Sequence, residues 1–265
     1  MLRPRDVAAS AERLRAYSLE LLASLSDDEL EREAVPGWSV ADVFRHLAET
    51  DRTTVLGKHL LDFLPGVEDD EFERGNDAAL ERLRARGRDE LADELERWGR
   101  RLLTIVRLAP TPLARVRIPT MFGKVELGWF AALRVYDEWV HQHDVLAAVG
   151  RPPPRLDPAA RDLLAEFVLR GLPAKPLRSL ERREGVVAFD LDTDLPTWRF
   201  DLAQRQYGPL VGSVRTVTVR TDVETIVLIA ADRLAWQDTE RDGRLALDGD
   251  DRSSAEAVLG VVRIV

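Results

Sequence analysis

The run GRPPPRLDP at residues 150–158 divides this chain into two stretches of different hydrophobic period, and that division constrains the fold most. Three consecutive prolines cannot continue a helix and form a stiff, extended connector. Before them, apolar residues recur at intervals of three and four, the period of a buried helix face. Beyond them, after one more helical segment, they alternate at intervals of two, the period of a half-buried strand. The expectation is an α+β protein of two domains: a helical bundle over residues 1–150 and a smaller α+β domain over 151–265.

Four helical segments fill the first part. DVAASAERLRAYSLELLASL, residues 6–25, sets Val7, Leu14, Leu21 and Leu22 at helical spacing. SLSDDELEREAVPGW is a polar connection ending on a Pro-Gly turn signal. Ser39 then caps SVADVFRHLAETDRTTVLGKHLLDFL, with Asp42 as a carboxylate near the positive helix end, and Pro65-Gly66 stops it. A third segment runs from Asn76 through ALERLRARGRDELADELERWGRRLLTIV, with a break at Gly87, and a fourth from Leu127 to Val149. Between them, RLAPTPLARVRIPTMFGKVEL has the Pro and Gly content of a short hairpin. Four long amphipathic helices with modest connections are the pattern of a four-helix bundle. In the second part, ARDLLAEFVLRGL reads as helix, and GVVAFDL, TWRFDLA and SVRTVTVRT as strands. TDVETIVLIAADRL reads as a helix opened by Asp222, and GRLALDGDDRSSAEAVLGVV as strand, tight turn and closing helix.

Composition removes several function classes. A net charge of -9 argues against a nucleic-acid partner, whose phosphates demand a basic surface. No apolar run approaches the roughly 20 residues that span a bilayer, and MLRPRDVAASAERLRAY lacks the apolar core of a secretory signal. The chain therefore reads as cytoplasmic, with no membrane partner. It has no cysteine, so any metal must sit on His, Asp or Glu, and any thiol chemistry must borrow its thiol from a small molecule. All basic residues except Lys58, Lys124 and Lys175 are arginine, the mark of a GC-rich genome, so arginine abundance by itself identifies no anion site.

Two of the four histidines lie in DEWVHQHD, residues 137–144. Residues four apart on a helix differ by about 40° around its axis, so Asp137 and His141 share a face, and Asp144 lies beside His141. His143 points about 160° away from His141 and falls outside that group. Taken alone, such a pair also suits a solvated, ion-paired helix surface. His46, however, lies within Val43, Leu47, Thr50 and Thr54, the stripe expected to face the bundle interior. A lone histidine there is either a hydrogen-bonded core residue or a ligand. If the second and fourth helices are neighbours, His46 can face Asp137 and His141, as in metal sites built from facing helices. Three N/O ligands leave a position open to water or substrate, the pattern of a catalytic and not a structural site. The donor set suits zinc first, and equally nickel or another transition metal. Asp144 is either a group fixing the orientation of a ligand ring or a polar residue near a helix end. His59, thirteen residues after His46, projects away and reads as surface.

PGWSVADVFRHLAETDR and RVYDEWVHQHDVLAAVGRP resemble the two helix motifs of the DinB-like, mycothiol-dependent maleylpyruvate isomerase family. The resemblance implies that His46, Asp137 and His141 hold a divalent metal. Many relatives carry Glu where this chain has Asp137, whose shorter arm requires closer helix approach or a bridging water. The stretch from residue 214 onward is similar to the family's sterol-carrier-like C-terminal domain, although Ala231-Asp232-Arg233 replaces the usual glycine with Asp232. Trp38 and Trp139 belong to the motifs and read as packing anchors.

The resemblance further implies a cofactor, mycothiol, whose thiol is activated at the metal and adds to a small electrophile. With maleylpyruvate this means conjugate addition to the alkene, rotation about the new single bond, and elimination to fumarylpyruvate. An arginine of the C-terminal domain, for which Arg233 is the candidate, steadies substrate carboxylates. The expected activity is a mycothiol-dependent isomerase or S-transferase. The alternatives are metal-dependent hydrolysis, with water at the open position, and a non-catalytic module whose C-terminal domain holds an apolar ligand.

Overall fold

A computed structural model describes residues 2–58, 80–120, 123–172, 179–210 and 217–264. The chain forms two compact units, Leu2–Leu156 and Asp157–Val265.

In the first unit, α1 (Pro4–Ser24) opens on a proline, whose missing N–H has no partner to lose at a helix start. The one-turn α2 (Asp27–Leu30) is closed by a reciprocal box between Ser26 and Glu29. Strands β1 (Glu33–Val35) and β2 (Trp38–Ser39) then form a small hairpin. Gly37 stands at φ +81 in its turn, the left-handed value a glycine after proline supplies without steric cost. This hairpin leads straight into α3 (Val40–Val55). As expected, Ser39 Oγ accepts from the Asp42 N–H, and the Asp42 carboxylate accepts from the Ser39 N–H in return.

Helix α3 stops earlier than the hydrophobic pattern implies. Gly57 at φ +75 lets the Lys58 N–H donate to Thr53 O and its own N–H to Thr54 O, a double closure that ends the helix. Pro65, Gly66, Asn76 and His59 lie outside the described residues. The third long helix, α4 (Arg88–Leu108), starts after the expected break, with Gly87 as its N-cap. A short α5 (Thr111–Ala114) and the antiparallel hairpin of β3 (Arg117–Thr120) and β4 (Gly123–Glu126) lead into α6 (Leu127–Ala148).

Helices α4 and α6 each pack against both α1 and α3, so the four close a ring in the order α1, α4, α3, α6. The end of α1 (Leu21, Leu22), the start of α3 (Phe44, Leu47), the start of α4 (Leu91, Leu95) and the end of α6 (Val145, Leu146) share one apolar cluster. Thus α1 and α6 run toward that end of the bundle, and α3 and α4 away from it. Each fully buried side chain of this size contributes about 1.5–3 kcal/mol. This end therefore anchors the bundle, and its middle is left to hold charged groups.

The second unit begins with α7 (Pro158–Gly171), capped by Asp157. Its sheet has the order β7-β6-β5-β8-β9, with β5 (Val186–Leu191), β6 (Trp198–Asp201), β7 (Gln206–Pro209), β8 (Val217–Thr221) and β9 (Leu245–Gly249). β5 and β8 pair in parallel and the other neighbours antiparallel. Helix α8 (Val223–Ala230) is opened by Asp222, whose carboxylate accepts from the Thr225 N–H. The polar α9 (Trp236–Arg241) and α10 (Arg252–Leu259) complete the unit, and α10 packs on β5, β8 and β9. The chain is α+β, as its hydrophobic periods imply. Among the described residues, no helix is long and apolar enough to cross a membrane.

Candidate metal centre

Antiparallel packing of α3 on α6 brings His46 against Asp137 and His141, about ninety residues later in the sequence. The Asp137 carboxylate sits between two imidazoles: Oδ2 is 3.7 Å from His46 Nε2 and Oδ1 is 3.4 Å from His141 Nε2. One ligand atom from each of the three residues falls within 4.8 Å of the others. The two imidazole rings meet edge to face, with centroids 5.0 Å apart. Both histidines are buried, whereas Asp137 keeps 21% of its side chain exposed and so marks the open side of the cluster.

The surroundings give the two histidines different proton affinities. Burial holds His46 below the ordinary histidine value, and the positive neighbours His141 and Arg134 act in the same direction, against the pull of Asp137. Burial also disfavours charge on His141, but Asp137 and Asp144 outweigh it and lift its pKa to about 9. Burial would raise Asp137 too, yet Arg134, His141 and the hydrogen bonds of both imidazoles hold it well below the usual carboxylate range. Asp144 is buried, with Oδ2 3.0 Å from His141 Nδ1. That contact favours a proton on Nδ1, so Nε2, which faces Asp137, is the nitrogen that gives up its proton when a cation binds.

Behind the cluster lies a buried ionic network that no sequence period announces. Arg134 on α6 is held to Asp137 through Nη1 and to Asp51 of α3 through Nε, at 2.9 Å. Arg15 of α1 donates through Nη1 to Asp51 Oδ2 at 2.6 Å and to the Leu95 carbonyl of α4 at 2.8 Å. Its Nη2 reaches Glu138 Oε2 at 2.6 Å. Ser18 donates to Glu138, and Gln142 Nε2 donates to Ser18 Oγ at 2.9 Å. Gly99 makes room for this packing, because a Cβ there would stand 2.3 Å from Arg15 Nη1. Burial favours neutral Glu138, but Arg15 and Arg134 overcome it and keep the carboxylate ionised.

The model of the family described as "Mycothiol maleylpyruvate isomerase N-terminal domain" matches residues 11–146, half of the chain and the whole region just described. The chain belongs to this family. A crystal structure of the mycothiol-dependent maleylpyruvate isomerase shares the fold, with 15% identity over 93% of each chain and a TM-score of 0.55. A histidine-to-alanine mutant of that isomerase aligns at 16% identity over 88% of this chain and 90% of its own, with a TM-score of 0.50. A sterol carrier protein 2-like 2 from Aedes aegypti aligns with 37% of this chain and 92% of its own, at 22% identity and a TM-score of 0.30. Among curated proteins, none matches.

The donor set of this member of the maleylpyruvate isomerase family fits a divalent cation. Two ligands on a tetrahedral ion with bonds of about 2.0–2.2 Å stand about 3.3–3.6 Å apart. The 3.4 and 3.7 Å contacts of Asp137 use a different oxygen for each imidazole, and one ligand atom from each residue lies within 4.8 Å of the others, so the aspartate arm reaches both histidines without a longer side chain. The other residues singled out in the sequence are distributed around this centre. Asp144 takes the ring-orienting position and not that of a bystander at a helix end. His143 stays outside the cluster, its ring 6.1 Å from Trp139. Trp139 is fully buried, and Trp38 stacks at a tilt 5.0 Å from His46, placed there by the β1–β2 hairpin. Arg233 lies in the other unit just past α8, where its Nη1 donates to Ala231 O at 2.9 Å. Asp232 before it adopts φ +58, so the backbone keeps the left-handed turn for which glycine is the usual residue. Sequence reasoning missed Arg15, Asp51, Arg134 and Glu138. Arg134 could have been found, since it falls one helical turn before Asp137.

Proposed function

We propose that this protein is a metal-dependent enzyme that uses mycothiol to isomerise, or to add a thiol to, a small electrophile of the maleylpyruvate type. The observation that carries this reading is the convergence of His46, Asp137 and His141 within 4.8 Å, on facing helices of a bundle of this family. His46, Asp137 and His141 would hold the cation, with zinc as the first candidate and nickel or another transition metal as alternatives. A bound divalent cation supplies the charge that favours thiolate over thiol at neutral pH.

The chain's own residues set up this chemistry. Burial keeps His46 toward its neutral, donor form. Asp144 fixes the His141 ring through Nδ1, so that Nε2 is the donor. Asp137 contributes the negative charge and is the most exposed of the three. With no cysteine in the chain, the reacting thiol comes from the cofactor. Arg233 is the proposed guanidinium for a substrate carboxylate.

The test is conversion of maleylpyruvate by the zinc-loaded chain with mycothiol or glutathione, together with the melting temperature under each condition. Mycothiol-dependent formation of fumarylpyruvate, and a larger thermal shift with mycothiol than with glutathione, support the reading. No conversion and equal shifts would overturn it.

A further inference from the structure

The Asp137 carboxylate is gripped from behind by a side chain that is not itself a candidate ligand, and the grip crosses between helices. Arg134 and Asp137 are three apart on α6, a spacing that many surface ion pairs share. Here, however, the guanidinium is buried and its opposite edge is fixed to Asp51, five residues beyond His46 on α3. One planar group therefore connects the helix that carries Asp137 and His141 to the helix that carries His46. Asp51 is fixed in turn by Arg15, which also binds the Leu95 carbonyl and Glu138. The chain of contacts reaches all four long helices and ends on the carboxylate between the two imidazoles.

Two further features show that the guanidinium is committed to this position. Arg134 Nη2 is buried without a hydrogen-bond partner among the described residues, its approach to Glu138 Oε2 being 3.6 Å. Native interiors rarely leave such a donor unsatisfied. Here Nε and Nη1 take the strong contacts, to Asp51 and Asp137, at the expense of Nη2. The charges also come close to balance. Arg15 and Arg134 stand against Asp51, Glu138 and Asp137, which leaves the group one negative charge in excess beside the imidazoles.

We propose that Arg134, clamped by Asp51, is a positioning residue that holds the Asp137 carboxylate in place for metal binding. This inference rests on the reading of His46, Asp137 and His141 as a metal site. A lysine keeps the charge but offers one point of contact in place of two edges, so it cannot hold Asp51 and Asp137 together. Loss of a group that orients a ligand typically weakens metal affinity by about 10–100-fold.

The experiment is chelator competition with Zn²⁺ on the full chain, comparing the parent, Arg134→Lys and Asp51→Asn. Cobalt absorption spectra and metal-free melting curves are recorded on the same samples. Arg134→Lys is expected to bind zinc about 10–100-fold more weakly, with an altered cobalt ligand-field band. Asp51→Asn, which loosens the clamp and keeps Arg134, is expected to shift affinity in the same direction by a smaller factor. It decides the matter if Arg134→Lys does not fold. A parent that binds zinc, with affinity and cobalt spectrum unchanged in the folded variants, would overturn the positioning role and leave the metal site standing. A parent that binds no zinc would overturn the metal site, and this inference with it.

Discussion

Substituting Gly99 by alanine should destabilise the bundle, although helix propensity alone predicts the opposite. Gly99 lies well inside α4, where alanine is ordinarily better than glycine by about 1 kcal/mol. A Cβ there would stand 2.3 Å from Arg15 Nη1, 3.2 Å from Arg15 Cζ and 3.3 Å from Asp51 Oδ2. The guanidinium would have to retreat by about 1 Å to regain van der Waals distance. It has no free direction, because Nε and Nη2 are tied to Glu138, and Nη1 to Asp51 and Leu95 O. Breaking a buried ion pair costs about 3–5 kcal/mol. With the propensity gain set against it, the net loss is about 2–4 kcal/mol, or roughly 5–12 °C for a unit of this size. The assay is thermal and urea unfolding of the full chain followed by circular dichroism at the helical band, with the bundle transition read separately from that of the second unit. A Gly99→Ala protein as stable as the parent, or more so, would show that Arg15 is not held as described.

Substitutions at two other positions test local parts of the account. The Asp42 carboxylate lies below its ordinary value of 3.8, because its contacts with Arg45 and Ser39 outweigh the effect of burial. Its contribution is therefore present above about pH 4 and lost as pH falls through the lower folded value, so Asp42→Asn should cost about 0.5 kcal/mol at neutral pH, the partial exposure screening its contacts, and progressively less as the pH falls below about 4. Melting curves of both proteins across that range check this, and a difference that does not vary with pH would contradict it. At Asp232, with φ +58, replacement by glycine should preserve or raise the stability of the second unit, and replacement by alanine should lower it by about 1 kcal/mol. An alanine variant as stable as the parent in urea unfolding would refute the backbone argument.

What was legible in the sequence, and what was not, follows from the range of the interactions involved. Ser39 with Asp42, Gly87 and Asp222 act within one helical turn, and each stands at the helix start its local chemistry implies. His46 was readable because it interrupts an apolar stripe, and Asp137 with His141 because four residues bring side chains onto one face. The apolar pattern of VLGKHLLDFL carried the expected second helix past Gly57, where the backbone turns left-handed and ends it. The β1–β2 hairpin, β7 and α9 escaped notice because elements of two to six residues are too short to show a period. The ionic network was hidden for a different reason. Arg15 meets partners 36 and 123 residues away, and nothing in ERLRAY distinguishes an arginine that will be buried from one that will be solvated.

The most direct test is the zinc content of purified protein after incubation with zinc and desalting, measured for the parent and for His46→Ala. A three-ligand centre built by α3 and α6 predicts about one equivalent of metal in the parent and less than about a tenth in the variant. A parent with under about a tenth of an equivalent, or a His46→Ala protein that retains the parent's content, would contradict it.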